Sequence, residues 1–341
     1  MTPVPPVLSR DDARALRLVA RFGHTATAFQ VLGRGLSHWF DADRGMVAYC
    51  DTGSAWVAAG EPVCARADAI AVAERFVEIA QAARRPVCFF ATEGVLAASP
   101  RFRRTRIGDQ PVWDPRVWVD GLRTHRSQRE QLRRARAKGV RTRTVAFDEL
   151  EDEPTFRSAL ERLVSRWLDA RHMAPMHFLV DVSPLSHLAH RRLYVAEREG
   201  SVLALLSLAP VPARNGWLFE HLLRDPSAPN GTADLLVDHA MRALAHENVA
   251  WVTLGLAPLA GPVSRWLRVV RTIARPFFNF HGLAAFKRKQ RPTAWEAIYL
   301  AYPKERNGVS ALGDALRAFA GGSLLAFAMR TALRGRVTFR V

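Results

Sequence analysis

Cysteine is rare in this sequence, and the few cysteines present do not form a recognisable motif. Only three occur in 341 residues, Cys50, Cys64 and Cys88. They are odd in number, and their spacing matches neither a metal site nor a redox motif. We therefore expect three reduced, buried thiols in a cytosolic protein.

Long apolar runs are missing as well. No stretch of roughly 18 apolar residues occurs, so the sequence predicts no transmembrane helix. The first residues, Met-Thr-Pro-Val-Pro-Pro, lack the apolar core of a signal peptide. Both absences favour a protein that stays in the cytosol.

One long segment has no carboxylates, and the positive charge of the chain is concentrated in a few segments. Residues 263–291 hold 8 basic and no acidic side chains, residues 101–143 hold 14 and 4, and residues 304–341 hold 7 and 2. The net charge is +17, so the rest of the chain is net −6. Such localisation favours a polyanionic partner, nucleic acid or an anionic membrane, over helix faces that are merely solvated.

The length and composition indicate two globular domains. Of the 341 residues 49% are apolar and 24% are charged, enough for two cores. In the first domain, residues 1–125, a hairpin over 46–59 and a helix over 67–85 predict an α/β layer arrangement. No catalytic constellation is visible there. The second domain is expected over residues 140–305, followed by a basic amphipathic tail over 306–341.

A basic helix is predicted between the two domains, over residues 126–139. Ser127 and Glu130 have the spacing of a capping box, and Gly139 is a natural helix end. The arginines of this helix share one face because they are spaced three, four and three residues apart. They are Arg126, Arg129, Arg133 and Arg136. We call them the arginine stripe and expect it to be exposed.

In the second domain, a turn-rich loop joins an apolar strand to a helix. Residues 217–223 predict a buried strand, residues 224–231 are dense in turn formers, and residues 233–246 have helical periodicity. Thr232 is the expected N-cap. The free N–H groups at such a helix start attract anions, although an ordinary strand-to-helix connection is the alternative.

The order helix, hairpin, strand, glycine-bearing loop, helix and strand is the layout of a GNAT-type acyltransferase domain. The acyl-CoA signature of that fold, Arg/Gln-x-x-Gly-x-Gly/Ala, is absent, and Pro229-Asn-Gly-Thr232 stands in its place. We therefore expect no coenzyme A and no other cofactor. A metal is not expected either, because the histidines of this half do not have metal-ligand spacing. They are His172, His177, His187 and His190.

A series of motifs resembles the C-terminal catalytic domain of lysylphosphatidylglycerol synthases. The motifs occur in order between residues 20 and 303. They are Gly60-Glu-Pro-Val63, Arg106-Ile-Gly108, Leu132-Arg-Arg-Ala-Arg136, Arg224…Ala228-Pro-Asn-Gly-Thr232-x-Asp234, Leu254-Gly-x-Ala-Pro-Leu259, Phe286-Lys-x-Lys and Trp295-Glu…Tyr299-Leu. The resemblance implies an α/β (α+β) fold of two tandem GNAT-like domains joined by the basic helix. It also implies transfer of an aminoacyl group from aminoacyl-tRNA to a lipid hydroxyl, typically that of phosphatidylglycerol.

The sequence departs from the family pattern at several places. Gln290 follows the Phe-Lys-x-Lys motif where phenylalanine is usual, and Ile298 replaces an arginine. Glu220 lies one residue further from Arg224 than in the commoner pattern. The best-known members also carry an N-terminal membrane flippase, so we expect a stand-alone form. These departures leave the amino acid and the acceptor lipid open.

The transfer implied by the resemblance needs an aligned hydroxyl, a base and stabilisation of the oxyanion. Glu220 and Asp234 are the candidates for the base or for gripping the aminoacyl ammonium, and burial is expected to raise the pKa of Glu220. Arg224 is the candidate phosphate ligand. His221 is the second candidate base, or else a core histidine. Other predicted substrate ligands are Asn230, Gly231, Thr232, Lys287, Lys289, Trp295 and Glu296.

The resemblance also implies partners. The arginine stripe is the expected tRNA surface, and Lys287 and Lys289 should bind the tRNA 3′ end or the lipid phosphate. Residues 264–275 and 310–336 should dock on anionic lipid at the inner face of the bacterial plasma membrane, with the second segment forming two short helices. Packing of that segment on the second domain is its alternative.

Two other functions stay open. One is a Fem-like, aminoacyl-tRNA-dependent transfer to a peptide or another non-lipid acceptor. The other is a non-catalytic module that binds lipid or RNA.

Overall fold

The computed structural model describes residues 9–171, 174–274 and 279–337, in which helices and strands alternate. Up to residue 137 the elements are α1 (Arg10–Phe22), β1 (Ser37–Asp41), β2 (Gly45–Asp51), β3 (Trp56–Ala59), β4 (Val63–Cys64), α2 (Ala69–Ala82), β5 (Val87–Thr92), β6 (Phe102–Trp113), α3 (Trp118–Thr124) and α4 (Arg126–Ala137). After residue 137 they are β7 (Arg141–Val145), α5 (Phe147–Asp152), α6 (Pro154–Asp169), β8 (Arg192–Arg198), β9 (Ser201–Val211), β10 (Gly216–Arg224), α7 (Thr232–His246), β11 (Trp251–Thr253), β12 (Ala257–Pro258), α8 (Arg265–Ala274), α9 (Phe280–Lys289), β13 (Ala294–Pro303), α10 (Gly308–Phe319) and α11 (Leu324–Val337).

The described strands join one 13-stranded sheet, so the two halves of the chain share a continuous scaffold. The strand order is β1-β2-β3-β5-β13-β6-β11-β10-β9-β8-β7, with β4 on β2 and β12 on β6. Strand β13 runs antiparallel between β5 and β6. Residues 294–303, which the sequence assigned to the second domain, therefore complete the sheet of the first half.

Each half of the described sheet contains one parallel strand pair, as expected of two tandem GNAT-like units. In the first half residues 56–59 pair with residues 87–90, and in the second residues 216–218 pair with residues 251–253. Beyond Leu218 the register of β10 continues only with β9. Strands β10 and β11 therefore open into a gap, which we call the strand gap. This mixed α/β architecture confirms the predicted fold class.

Helices cover both faces of the sheet around the strand gap. Successive side chains of a strand point to opposite faces. Phe219 packs with Leu236 of α7, whereas Leu218 belongs to the core that contains Val19 of α1. We call these sides the α7 face and the α1 face. Burial of each such large apolar side chain contributes about 1.5–3 kcal/mol, so both faces hold the strands in place.

The connector helix α4 begins one residue before the predicted capping box. Because the helix starts at Arg126, Ser127 lies inside its first turn, and the N-cap residue makes no side-chain hydrogen bond. Glu130 instead accepts a hydrogen bond from Arg133 at 2.8 Å. The predicted capping box is therefore wrong. Gly139, with φ at +79°, follows the helix end as predicted.

The cysteines are free thiols with little reactivity. Cys64 and Cys88 are buried and Cys50 is half-buried. Burial raises the pKa of both Cys64 and Cys88 to about 12, so these thiols stay protonated near neutral pH. The prediction of reduced, buried cysteines is confirmed for these two.

The predicted tail forms two helices, α10 and α11, separated by Gly321 and Gly322 with φ at +72° and +98°. Helix α10 packs Ala311 against the α1-face core. Helix α11 leaves Leu325 and Met329 exposed by 71% and 55%. The tail thus packs on the protein at its start and presents apolar side chains further along.

Within residues 9–171, 174–274 and 279–337, no single helix is long and apolar enough to cross a membrane. Helix α10 and residues 324–331 of α11 are bent by 52° to each other, and by length and composition alone the two together are long and apolar enough.

Candidate active site

Two of the predicted catalytic residues, Glu220 and Arg224, lie along β10 at the strand gap, but on opposite faces of the sheet. The pairing of β10 with β9 shifts register between Phe219 and His221, so Glu220 is a bulge residue. Glu220 contacts groups of the α1 face, whereas Leu222 packs with the α7-face core. Arg224 follows Leu222 by two residues and therefore points the same way. The gap thus has Glu220 on one face and Arg224 on the other.

Glu220 is a buried carboxylate with two hydrogen-bonding partners. It accepts a hydrogen bond from Gln30 Nε2 at 3.0 Å and forms an ion pair with buried Arg191. Burial alone would raise the pKa of Glu220, but the positive charge of Arg191 and the hydrogen bonds from Arg191 and Gln30 outweigh burial and lower it. The prediction of a raised pKa is therefore wrong, because the partner Arg191 could not be seen in the sequence. The carboxylate is ionised at neutral pH.

His221 lies beside this carboxylate. Its Nε2 atom is 3.7 Å from Oε2 of Glu220, and the residue is 7% exposed. Burial lowers the pKa of His221, so the imidazole is neutral at pH 7. A neutral imidazole next to an ionised carboxylate can take up a proton and share the resulting charge.

Arg224 is the half-buried cation at the end of β10. Its Nη1 atom donates to the carbonyl oxygen of Ala228 at 2.9 Å. Within the described parts of the chain it forms no ion pair with a carboxylate. The guanidinium therefore keeps its charge and most of its donors for a ligand, and a phosphate is the group that this fork suits best.

The predicted anion site at the start of α7 is closed. The N-cap is Gly231, with φ at +92°, and not Thr232 as predicted. Thr232 is completely buried, and its hydroxyl donates to the carbonyl oxygen of Pro229. A Cβ at Gly231 would lie 2.7 Å from the carbonyl oxygen of Gln131 in α4, so α4 covers the helix start. Of the three predicted ligands in this loop, Asn230 alone is exposed.

Asp234 is buried in the first turn of α7 and is paired. It accepts hydrogen bonds from Lys289 Nζ at 2.9 Å and from Gln290 Nε2 at 2.8 Å. Gln290 also accepts a hydrogen bond from Gln128 of α4 at 3.1 Å. The glutamine that departs from the family motif thus ties α9 to α7 and α4. The Lys289 side chain is 44% exposed, whereas the Asp234 side chain is 7% exposed.

Lys287 is bound to backbone carbonyl groups and is not open to a ligand. Its Nζ atom donates to the carbonyl oxygens of Leu254, Gly255 and Leu256 at 2.7, 2.8 and 2.8 Å. Burial lowers the pKa of Lys287, whereas the three carbonyl acceptors favour its ammonium form. All three donors of the ammonium are used, so the prediction that Lys287 binds a substrate phosphate is wrong. The side chain instead holds the loop that forms one side of the strand gap.

Trp295 and Glu296 lie away from Arg224 and Asp234. They belong to β13, which β6 and β11 separate from β10, a distance of about 14 Å at the usual strand spacing. Trp295 is half-buried opposite Pro111. These two predicted substrate ligands are therefore separated from the loop after β10, because β13 pairs within the first half.

A carboxylate cluster that the sequence did not indicate surrounds Glu296. Gln110 Nε2 donates to Glu296 at 2.8 Å and to Glu93 at 3.2 Å, and Arg214 forms ion pairs with both acids. Burial, opposed by Arg214 and assisted by Glu61 and Glu296, raises the pKa of Glu93 to about 7. No sequence signal links these residues, because the strand pairing alone brings them together.

The arginine stripe is exposed on α4, as predicted. Its members are Arg126, Arg129, Arg133 and Arg136. Arg133 pairs with Glu130, and Arg136 reaches Asp238 of α7 at 3.2 Å. Arg126 has no partner in the described chain. Since α4 packs on α7, the stripe lies on the α7 side of the sheet, together with Arg224 and Asp234.

Among the residues that the structure describes, no group of three or more histidine, cysteine, aspartate or glutamate side chains could hold a metal ion. His187 Nε2 lies 3.4 Å from the carbonyl oxygen of Leu32, and the backbone N–H of His177 donates to the carbonyl oxygen of Phe319. His172, like Arg275, is outside the described residues.

Comparison with curated proteins finds partial matches. The chain is 28% identical over 170 residues to a phosphatidylglycerol lysyltransferase of Bacillus subtilis, covering 46% of this chain and 19% of that protein. It is 24% identical over 186 residues to an uncharacterized protein of Corynebacterium glutamicum, covering 50% and 23%. The chain therefore spans about a fifth of the length of these relatives.

Comparison with solved structures finds matches over nearly the whole chain. The C-terminal domain of a protein assigned as lysylphosphatidylglycerol synthetase from Agrobacterium fabrum has a TM-score of 0.78 at 25% identity, covering 92% of this chain and 98% of that one. L-PGS from Bacillus licheniformis has a TM-score of 0.76 at 18% identity, covering 97% and 98%. FemX, at 0.56 and 10%, covering 87% and 96%, shares the fold.

The family described as phosphatidylglycerol lysyltransferase, C-terminal, matches residues 16–302. This range includes the strand gap and the pairing of β6 with β11 that joins the two halves. The chain belongs to the family of phosphatidylglycerol lysyltransferase C-terminal domains.

Proposed function

We propose that this chain transfers an amino acid from aminoacyl-tRNA to a hydroxyl of a membrane lipid of the phosphatidylglycerol type. Membership of the family supports the class of reaction. The observation that carries the proposal is the division of the strand gap: Arg224 and Asp234 on one face, Glu220 and His221 on the other. Two substrates can then reach one gap from opposite sides of the sheet.

On the α7 face the donor would bind. The arginine stripe supplies charge for tRNA phosphates, and Arg224 suits a phosphate near the 3′ end because it has no carboxylate partner in the described chain. The ammonium of the aminoacyl group can replace Lys289 at Asp234, since one cation takes the place of another. The buried carboxylate then stays paired, which avoids the cost of an isolated charge.

On the α1 face the acceptor would react. The ester bond between the amino acid and the tRNA ribose breaks, and a new ester forms between the same carbonyl carbon and the lipid hydroxyl. The hydroxyl proton passes to His221, which is neutral, while ionised Glu220 stabilises the resulting imidazolium. The proton then goes to the ribose oxygen that leaves.

Neither the binding of the donor nor the reaction of the acceptor requires coenzyme A. The start of α7, where an acyl-CoA pyrophosphate would need free N–H groups, is covered by α4 next to Gly231. This supports aminoacyl-tRNA as the co-substrate. A Fem-like transfer to a peptide uses the same donor, so the acceptor distinguishes the two functions.

The lipid acceptor also calls for contact with a membrane from the cytosolic side. The exposed apolar side chains of α11, with Arg330 among them, and the exposed Val269 and Ile273 of α8, with Arg268 beside them, suit the headgroup boundary of an anionic bilayer. We propose that these helices dock peripherally on the inner face of the bacterial plasma membrane.

A transfer assay tests the function. The protein is incubated with radiolabelled aminoacyl-tRNAs and vesicles of total bacterial lipid, and the phases are separated. Label in the organic phase is the expected result. Label in an aqueous product alone would support the Fem-like function, and label that stays on tRNA would support a module that only binds lipid or RNA.

A further inference from the structure

A cavity of about 130 Å³ lies beside α1 and the Gly60-Glu-Pro turn. Five of its lining residues are polar or charged: Arg21, His24, Thr25, Glu61 and Arg66. None of them was predicted as a site residue from the sequence, although Glu61 stands in a family motif. The reaction proposed above does not use them.

Glu61 is a buried carboxylate with one oxygen occupied and one open. The residue is 8% exposed, and Oε1 accepts the backbone N–H groups of Glu93, Gly94 and Val95 at 2.9, 2.9 and 3.1 Å. Oε2 accepts no hydrogen bond from the described chain. Oε2 is therefore available to accept a hydrogen bond from a ligand in the cavity.

The outer part of the cavity is cationic. Arg21 and Arg66 are exposed, and neither forms an ion pair with a carboxylate in the part of the chain that the structure describes. His24 Nε2 lies 3.0 Å from Arg214 Nη2. Burial, followed by the charges of Arg214 and Arg66, lowers the pKa of His24 to about 4, so the ring is neutral. A free amine is disfavoured here because the guanidinium groups repel it.

The cavity is close to the acceptor side of the strand gap. Thr25 and Ala28 line it, and Gln30, two residues further on, donates to Glu220. Phe22, another lining residue, packs on the α1-face core. The arginine stripe lies on the opposite face. This placement favours a lipid headgroup over a tRNA segment, as does a volume too small for a nucleotide.

We propose that this cavity binds a polyol phosphate headgroup, with Arg21 and Arg66 on the phosphate and Oε2 of Glu61 accepting a hydrogen bond from a hydroxyl. The cavity combines an anion receptor with a neighbouring acceptor for a hydroxyl, and glycerol phosphate carries both matching groups. The inference rests on the proposed function for the source of the headgroup, which is the acceptor lipid.

Binding of soluble probes to the full chain tests the proposal. Calorimetry would compare glycerophosphoglycerol, inorganic phosphate and a cytidine-cytidine-adenosine trinucleotide. We expect glycerophosphoglycerol to bind best, and Arg21→Ala with Arg66→Ala to weaken it about tenfold or more, the usual effect of removing charged hydrogen bonds. Glu61→Gln should weaken it as well while keeping an acceptor for the three N–H groups. Arg17→Ala, one turn before Arg21 on the exposed side of α1, is the matched control.

Three results would overturn the proposal: no binding of glycerophosphoglycerol, equal binding of inorganic phosphate, or tighter and competing binding of the trinucleotide. If Glu61→Gln does not fold, binding of glycerophosphoglycerol by the Arg21→Ala and Arg66→Ala variant tests the cavity site without it. If the wild type binds glycerophosphoglycerol as expected but labels no lipid, the proposed function fails and the cavity site stands.

Discussion

Lys289 and Asp234 form an ion pair at the start of α7, with Nζ 2.9 Å from Oδ2. The carboxylate is buried, whereas the lysine side chain is 44% exposed. Gln290 donates to the other oxygen of Asp234. In the proposed reaction this second hydrogen bond would keep the carboxylate oriented while an aminoacyl ammonium replaces Lys289.

Lys287→Met should destabilise the protein by about 3 kcal/mol or more, because three buried carbonyl oxygens lose their donor at once. Urea unfolding followed by circular dichroism measures the change. Arg288→Met, the exposed neighbour on the same helix, should stay within about 0.5 kcal/mol of the wild type. Equal effects of the two substitutions would show that the ammonium does not hold the loop after β11.

Glu93 should make stability depend on pH. Its pKa is raised from 4.5 to about 7 in the folded protein, so the folded state binds more protons than the unfolded state between these values. Stability from this group is therefore present at low pH and is lost as the pH rises through 7. The wild type should lose up to about 1.4 kcal/mol of stability per pH unit in this range, and Glu93→Gln should abolish that loss.

The wild type and the Glu93→Gln variant are compared by chemical unfolding at a series of pH values from about 4.5 to 8. This range brackets the pKa of Glu93 in the unfolded and in the folded state. Glu199→Gln, at an exposed turn, is the control and should follow the wild-type curve. A Glu93→Gln curve parallel to that of the wild type would mean that Glu93 titrates normally.

Much of the architecture follows from the sequence because local patterns carry it. The hairpin β2–β3, helix α2 and the order of elements from β8 to α7 are short-range features of apolar periodicity and turn residues. The motifs from Gly60 to Tyr299 identified the family in the same way. Each of these patterns depends on neighbours a few residues apart.

The errors come from long-range pairing. Glu220 has a lowered pKa because Arg191 and Gln30 reach it from distant segments. Lys287 is occupied by carbonyl groups more than 30 residues earlier in the chain, which no spacing rule predicts. Because strand β13 pairs with strands of the first half, Glu296 lies there beside Glu93. These pairings depend on sheet order, which the sequence alone did not reveal.

The arginine stripe should make tRNA binding depend on salt. Neutralising Arg126, Arg129, Arg133 and Arg136 together should flatten the log–log salt slope by roughly 0.7–0.9 for each phosphate that is no longer neutralised. A filter-binding titration with aminoacyl-tRNA at several salt concentrations gives the slope. A control variant removes four exposed arginines elsewhere: Arg10, Arg17, Arg84 and Arg162. An equal slope change in both variants would remove the stripe from the RNA surface.

Membrane docking should depend on the exposed apolar residues of α11. Leu325→Ser with Met329→Ser should reduce sedimentation with phosphatidylglycerol vesicles, because less apolar area is then buried at the headgroup boundary. Ile79→Ser with Val117→Ser removes two apolar side chains that are exposed elsewhere and is the matched control. Unchanged sedimentation of the α11 variant would locate the docking surface elsewhere, with α8 the next surface to test.

The strand gap is proposed to receive an aminoacyl-tRNA at Arg224 and Asp234, and every other role assigned to the gap depends on this. Single-turnover transfer of labelled amino acid to phosphatidylglycerol vesicles tests it most directly, with Arg224→Ala, Asp234→Asn and the control Arg162→Ala. We expect the transfer rate to fall roughly 100-fold in each site variant, because each variant loses a charged group that acts in the transition state. The fold of both variants should stay intact by circular dichroism. The transfer rate of the control should change little. Transfer at near wild-type rates by both site variants would contradict the proposed site.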